Sequence, residues 1–85
     1  MVKSNTKNIH FNLIFRPEAE GGFTVLVPAL PGCVTYGRDL EEAKKMVSDA
    51  IDGYLKSAKK HGEKVVGDEE SFITTLDFQL GKSYA

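Results

Sequence analysis

The chain has 85 residues, a formal net charge of -1 from 11 Lys and Arg against 12 Asp and Glu, and one cysteine. That length holds one domain with a modest core, which association often helps to stabilise. The charge balance lacks the positive excess that phosphate-backbone binding needs, and a lone Cys33 excludes an internal disulfide or a cysteine metal cluster and fits a reducing, cytoplasmic setting.

Residues Met1 to Asn8 are polar after Val2 and read as a leading tail; they lack the apolar segment of a secretion signal, and no apolar run in the chain is long enough to span a bilayer. From Ile9 the pattern alternates, with Ile9, Phe11, Leu13 and Phe15 on one face and His10, Asn12, Ile14 and Arg16 on the other. This is the period of a half-buried strand, which Pro17 ends. Glu18 to Gly22 supply a turn, and Phe23, Val25 and Val27 resume the alternation opposite Thr24 and Leu26, predicting an antiparallel hairpin.

The stretch VPALPGCVTYGRDLEEA, residues 27–43, passes the chain from sheet to helix. Pro28 closes the second strand, and Pro31-Gly32 suits the central pair of a type II turn, proline setting φ and glycine accepting a positive value. Cys33 to Tyr36 reads as a short third strand that Gly37 breaks. Asp39 and Glu42 have the spacing of an N-cap and capping box ahead of Leu40. The helix is expected from Leu40 to about His61, with Leu40, Ala43, Val47, Ala50, Ile51, Tyr54, Leu55 and Ala58 on one stripe. Gly62 follows as a left-handed C-cap. After a polar loop, Phe72, Thr74, Leu76, Phe78 and Leu80 alternate with Ile73, Thr75, Asp77 and Gln79 as a final strand.

The order β-β-β-α-β defines a single α+β domain over residues 1–85, ordered from about 8 to 80, in which one helix packs on one face of an antiparallel sheet. The helix stripe is expected against Ile9, Phe11, Leu13, Phe15, Phe23, Val25, Val27 and Phe78. The opposite face then carries Asn12, Ile14, Thr24, Leu26, Thr35, Ile73 and Thr75, too apolar to be simply solvated. It is the expected partner or oligomer interface, a two-fold dimer being the simplest case.

No catalytic set emerges. His10, Cys33 and His61 lie in separate elements, the carboxylates group at loops and the helix start, and Asp68 to Glu70 lack calcium-loop spacing. No catalytic residue, cofactor or metal ligand is therefore assigned.

The combination of Glu20-Gly21-Gly22-Phe23, Leu30-Pro31-Gly32-Cys33 followed by Thr35 and Gly37, Leu40-Glu41-Glu42-Ala43, and Ala50-Ile51 with Tyr54-Leu55 resembles the HicB family of antitoxins. The resemblance runs from about Phe11 to about Glu63. It implies a partial RNase H fold and a homo-oligomer that binds a small, basic, mRNA-cleaving toxin of the HicA type and occludes its active surface. An orphan oligomeric regulatory or small-ligand-binding domain is the alternative. The chain departs from the pattern at Ala29, where many relatives are acidic. On the first strand, where RNase H enzymes place a metal-binding carboxylate, it has His10, Asn12 and Arg16. No separate DNA-binding domain is expected after the last strand, so direct operator binding is not supported.

Overall fold

A computed structural model describes residues 8–82 and 84. The expected leading tail otherwise falls on residues 1–7, outside the described residues. Among the described residues three strands, β1 (Ile14–Pro17), β2 (Phe23–Leu26) and β3 (Val34–Gly37), precede one helix, α1 (Leu40–Lys60). The sheet order is β1-β2-β3, antiparallel throughout. This is a single-domain α+β arrangement of the class expected.

The first strand is shorter than its alternation suggests, because residues 8–13 have no strand pairing and only Ile14 to Pro17 pair with β2. Beyond Leu26 the second strand has no ladder to offer. The chain turns at once, with the Leu30 N–H donating to the Val27 carbonyl at 2.9 Å and the Cys33 N–H to the Leu30 carbonyl at 3.0 Å. The second of these turns holds Pro31 and Gly32 at its centre, with Gly32 at φ 82°, as a type II turn requires. The Val27 N–H then donates to the Cys33 carbonyl at 3.2 Å, closing a seven-residue loop whose middle residue, Leu30, points inward and is 1 % exposed.

Gly37 has a different role from the strand breaker expected. It is the last residue of β3, pairs with Phe23, and is buried where the chain passes under α1. A Cβ there would overlap the backbone of Ala43, so glycine permits the close approach of strand and helix.

The helix begins as its sequence directs. Asp39 is extended at φ -143°, and its Oδ1 accepts the Glu42 N–H at 2.8 Å. Glu42 reaches back to the N–H of Arg38 at 2.7 Å, one residue earlier than in the usual capping box, and its carboxylate also pairs with the Arg38 guanidinium at 3.2 Å. At the other end the Glu63 N–H donates to the Ala58 carbonyl at 2.8 Å around Gly62, a Schellman closure.

The core gathers Val25, Val27, Leu30, Cys33, Ala43 and Val47, with Phe11, Leu13, Phe15, Phe23, Ala50, Ile51, Tyr54 and Val65 partly buried around it. The helix lies over β3 and β2 rather than β1. Two members of the expected core fail: Ile9 is 41 % exposed and Phe78 is 79 % exposed. Leu40, at the first turn of the helix, is exposed as well.

The expected final strand is also corrected. Residues 71–80 form no strand among the described residues and every one of them is exposed. The alternation is present, but nothing among the described residues pairs with it. The chain has a long axis of 63 Å against 30 and 29 Å, and a radius of gyration of 17.0 Å. A compact chain of this length would have about 12 Å.

Candidate partner-binding face

The register places every strand side chain. Phe15 pairs with Val25 and Val25 with Thr35, and since Val25 is fully buried this row faces the helix. The neighbouring rows, Ile14-Leu26-Val34 and Arg16-Thr24-Tyr36, must face the opposite way. That open face carries a large apolar side chain from each strand, with Ile14 at 41 % and Val34 at 53 % exposure.

At one end of the face the double turn raises a rim. Ile14, Leu26 and Val34, together with Pro28 and Pro31, line a shallow depression of about 280 Å³. The polar groups sit at the other end. Thr24 donates its hydroxyl to Glu18 Oε2 at 2.5 Å, Arg16 Nε lies 3.6 Å from the same oxygen, and the Tyr36 hydroxyl donates to the Gly21 carbonyl at 2.8 Å. The hairpin tip is thereby tied to β3. An apolar surface with polar groups fixed along one border is suited to binding a protein surface.

Of the residues expected on this face, Ile14, Thr24 and Leu26 lie there together. Thr35 does not: it pairs with Val25 and faces the helix, and its hydroxyl oxygen is buried without a hydrogen-bond partner. Ile73 and Thr75 lie in the exposed C-terminal segment, which has no place in the sheet. Asn12 serves as a clamp. Its N–H donates to Asp68 Oδ2 at 2.9 Å, and its side-chain amide reaches the Ser71 carbonyl at 3.5 Å. The Asp68 N–H donates to the His10 carbonyl at 2.6 Å and the His10 N–H to Glu69 at 2.9 Å, so the loop around residues 68–71 is held along residues 10–12.

Val34 and Tyr36 belong to the face and were not anticipated. Cys33 was the available signal: a free cysteine is among the residues most often buried, and placing it inward sends Val34 and Tyr36 outward by alternation. Burial also pushes the Cys33 thiol above its ordinary pKa, which holds it in the unreactive protonated form. The histidines have local partners, His10 Nε2 lying 3.0 Å from Asn12 Oδ1 and His61 Nδ1 2.8 Å from the Ser57 carbonyl. Among the described residues no three His, Cys, Asp or Glu side chains gather closely enough to hold a metal ion. No helix among them is long and apolar enough to cross a membrane.

A three-stranded sheet with one helix on one face and an apolar, turn-rimmed opposite face defines a small single-domain α+β module. The family model for the HicB-like antitoxins of bacterial toxin-antitoxin systems matches residues 11–79, and the chain belongs to that family. A UPF0150 protein of Thermoplasma acidophilum is 41 % identical over 64 residues, 75 % of this chain and 93 % of that protein. One from Synechocystis is 35 % identical over 57 residues, covering 67 % and 78 % of the two chains. Another, from Archaeoglobus fulgidus, is 37 % identical over 49 residues, 58 % of this chain and 71 % of its own.

Proposed function

We propose that this protein is the antitoxin of a toxin-antitoxin pair, and that it neutralises a small HicA-type mRNA-cleaving toxin in the cytoplasm by covering its active surface. The open face formed by Ile14, Leu26, Val34 and Tyr36 carries this reading. It is apolar, it is uncovered among the described residues, and it is bounded by the Leu30-Pro31-Gly32-Cys33 turn, which lies within the residues that the family model matches. The action is binding rather than catalysis, with steric exclusion of mRNA as its effect. In keeping with a chain of this size, the working form is a homo-oligomer.

Co-expression with a small basic protein encoded next to it tests the reading. The two should co-purify, and growth arrest by the basic protein should be relieved. Val34→Glu, which changes an exposed side chain on the face, should release the partner while leaving the fold intact by circular dichroism. A neighbour that neither co-purifies nor arrests growth removes the proposal, and a Val34→Glu variant that still protects cells moves the contact elsewhere.

A further inference from the structure

Residues 72–80 and the outer edge of β1 are each incomplete in the protomer, and each has what the other lacks. Phe72, Leu76, Phe78 and Leu80 are 83, 84, 79 and 53 % exposed, and their even spacing would put them on one side of the segment once it is paired as a strand. Ladder hydrogen bonding explains the other half. The Glu18 N–H to Gly22 carbonyl bond at 3.0 Å continues the ladder in which Ile14 and Arg16 exchange bonds with β2, which turns the backbone groups of Phe15 outward. An edge of this kind is a template for another strand.

The two edges of the sheet are not equivalent. On the helix side, β3 and the residue before it bring Cys33, which is buried, Thr35, whose hydroxyl is buried, and Gly37, which is buried beneath Ala43, so a strand added beyond β3 would cover little. Beside β1 the core stays partly open at Phe11, Leu13 and Phe15, and along the helix at Ile51 and Tyr54. A strand laid along β1 with its Phe and Leu side chains toward the helix closes that gap. Its other side chains, Ile73 and Thr75, then extend the open face next to Ile14.

We infer that the occupant of the β1 edge is residues 72–80 of a second copy, and that two protomers exchange these segments across a two-fold axis. The direction of the chain favours exchange over closure within one protomer. The turn-forming residues Gly67 and Asp68 are already engaged in the loop held to His10 and Asn12. Residues 72–76, Phe-Ile-Thr-Thr-Leu, contain no Gly, Pro, Asn or Asp with which to reverse direction. A two-fold partner satisfies both incomplete surfaces by the same contact made twice. This inference does not rest on the antitoxin reading, because it concerns the protein alone.

The test is made on the full chain without any toxin. Light scattering at micromolar concentration should give twice the 9.4 kDa chain mass. Leu76→Glu with Phe78→Glu, at exposed positions, should give a folded monomer by circular dichroism. Val34→Glu, on the open face, should leave the dimer intact. Hydrogen exchange at the amides of Phe15 and residues 73–80 should be at least about tenfold slower in the wild type than in the double variant. A wild-type monomer overturns the inference, whether its segment is protected by closing on its own β1 or remains exposed. A dimer that survives the double variant, or that Val34→Glu disrupts, overturns it equally.

Discussion

The two halves of this molecule are finished to different degrees. In one, α1, β2, β3 and the double turn after Val27 enclose Val25, Val27, Leu30, Cys33, Ala43 and Val47. In the other, β1 and the residues leading to it bring Phe11, Leu13 and Phe15 only partway out of water, and residues 71–80 remain exposed throughout. Both halves carry the alternation expected of strands. The difference lies in the supply of partners: a helix of 21 residues laid over β2 and β3 covers one side of a small sheet and leaves β1 to be completed by other means. The closed half holds the buried core, and the open half leaves apolar side chains exposed.

Mutations can break or sharpen this contrast. Leu30→Ala should have the largest effect, about 2 to 5 kcal/mol in chemical denaturation, because Leu30 is 1 % exposed and the loop around it is closed by backbone hydrogen bonds that prevent collapse into the gap. Leu13→Ala, measured in the monomeric Leu76→Glu, Phe78→Glu background, should cost clearly less, since Leu13 is only partly buried. Equal losses at the two sites would show that the halves are equally packed.

Gly37→Ala should cost about 1 to 3 kcal/mol, because the added Cβ overlaps the Ala43 backbone and pushes the helix from β3. A change within about 0.5 kcal/mol would mean that the contact relaxes freely. Asp39→Ala should cost about 1 kcal/mol by removing the bond to the Glu42 N–H, with little effect on association. Thr35→Val should be neutral or stabilising by up to about 1 kcal/mol, since it keeps the shape and removes a buried hydroxyl that has no partner. A loss of stability there would reveal a hydrogen bond to Thr35 in solution.

The smallest effect is chemical. With its thiol buried and its pKa raised, Cys33 should react slowly with a thiol reagent at neutral pH, at a rate that rises as the pH is increased or as denaturant opens the closed half. Rapid labelling of the native protein would place Cys33 outside the core.

Much of this arrangement was legible residue by residue. Pro31-Gly32 with a positive φ at Gly32, the Asp39 cap accepting the Glu42 N–H, and the helix ending at Gly62 are local events, each determined by the conformational limits or hydrogen-bonding groups of a few adjacent residues. The open face was legible in part. Ile14, Thr24 and Leu26 follow from alternation in the hairpin, whereas Thr35 was assigned across a turn, where one residue of register reverses a side chain. Leu30 was recognised as part of a motif and not as the centre of a core, because its inward direction depends on two consecutive turns that bring Val27 and Cys33 together.

By itself, then, the sequence determined the order of the three strands and the helix, the turn and cap chemistry and the amphipathic stripe of the helix, since these reside in short-range periodicity and adjacent residues, while its combined motifs carried the resemblance to a family of antitoxins. Tertiary structure alone decided which strands the helix covers, that Gly37 must lack a side chain beneath Ala43, and that the regular pattern of residues 72–80 finds no strand partner among the described residues. Alternation states that a strand has an apolar side. It cannot state where the complementary edge lies, because that edge is made by residues distant in the chain and, for residues 72–80, we assign it to another copy.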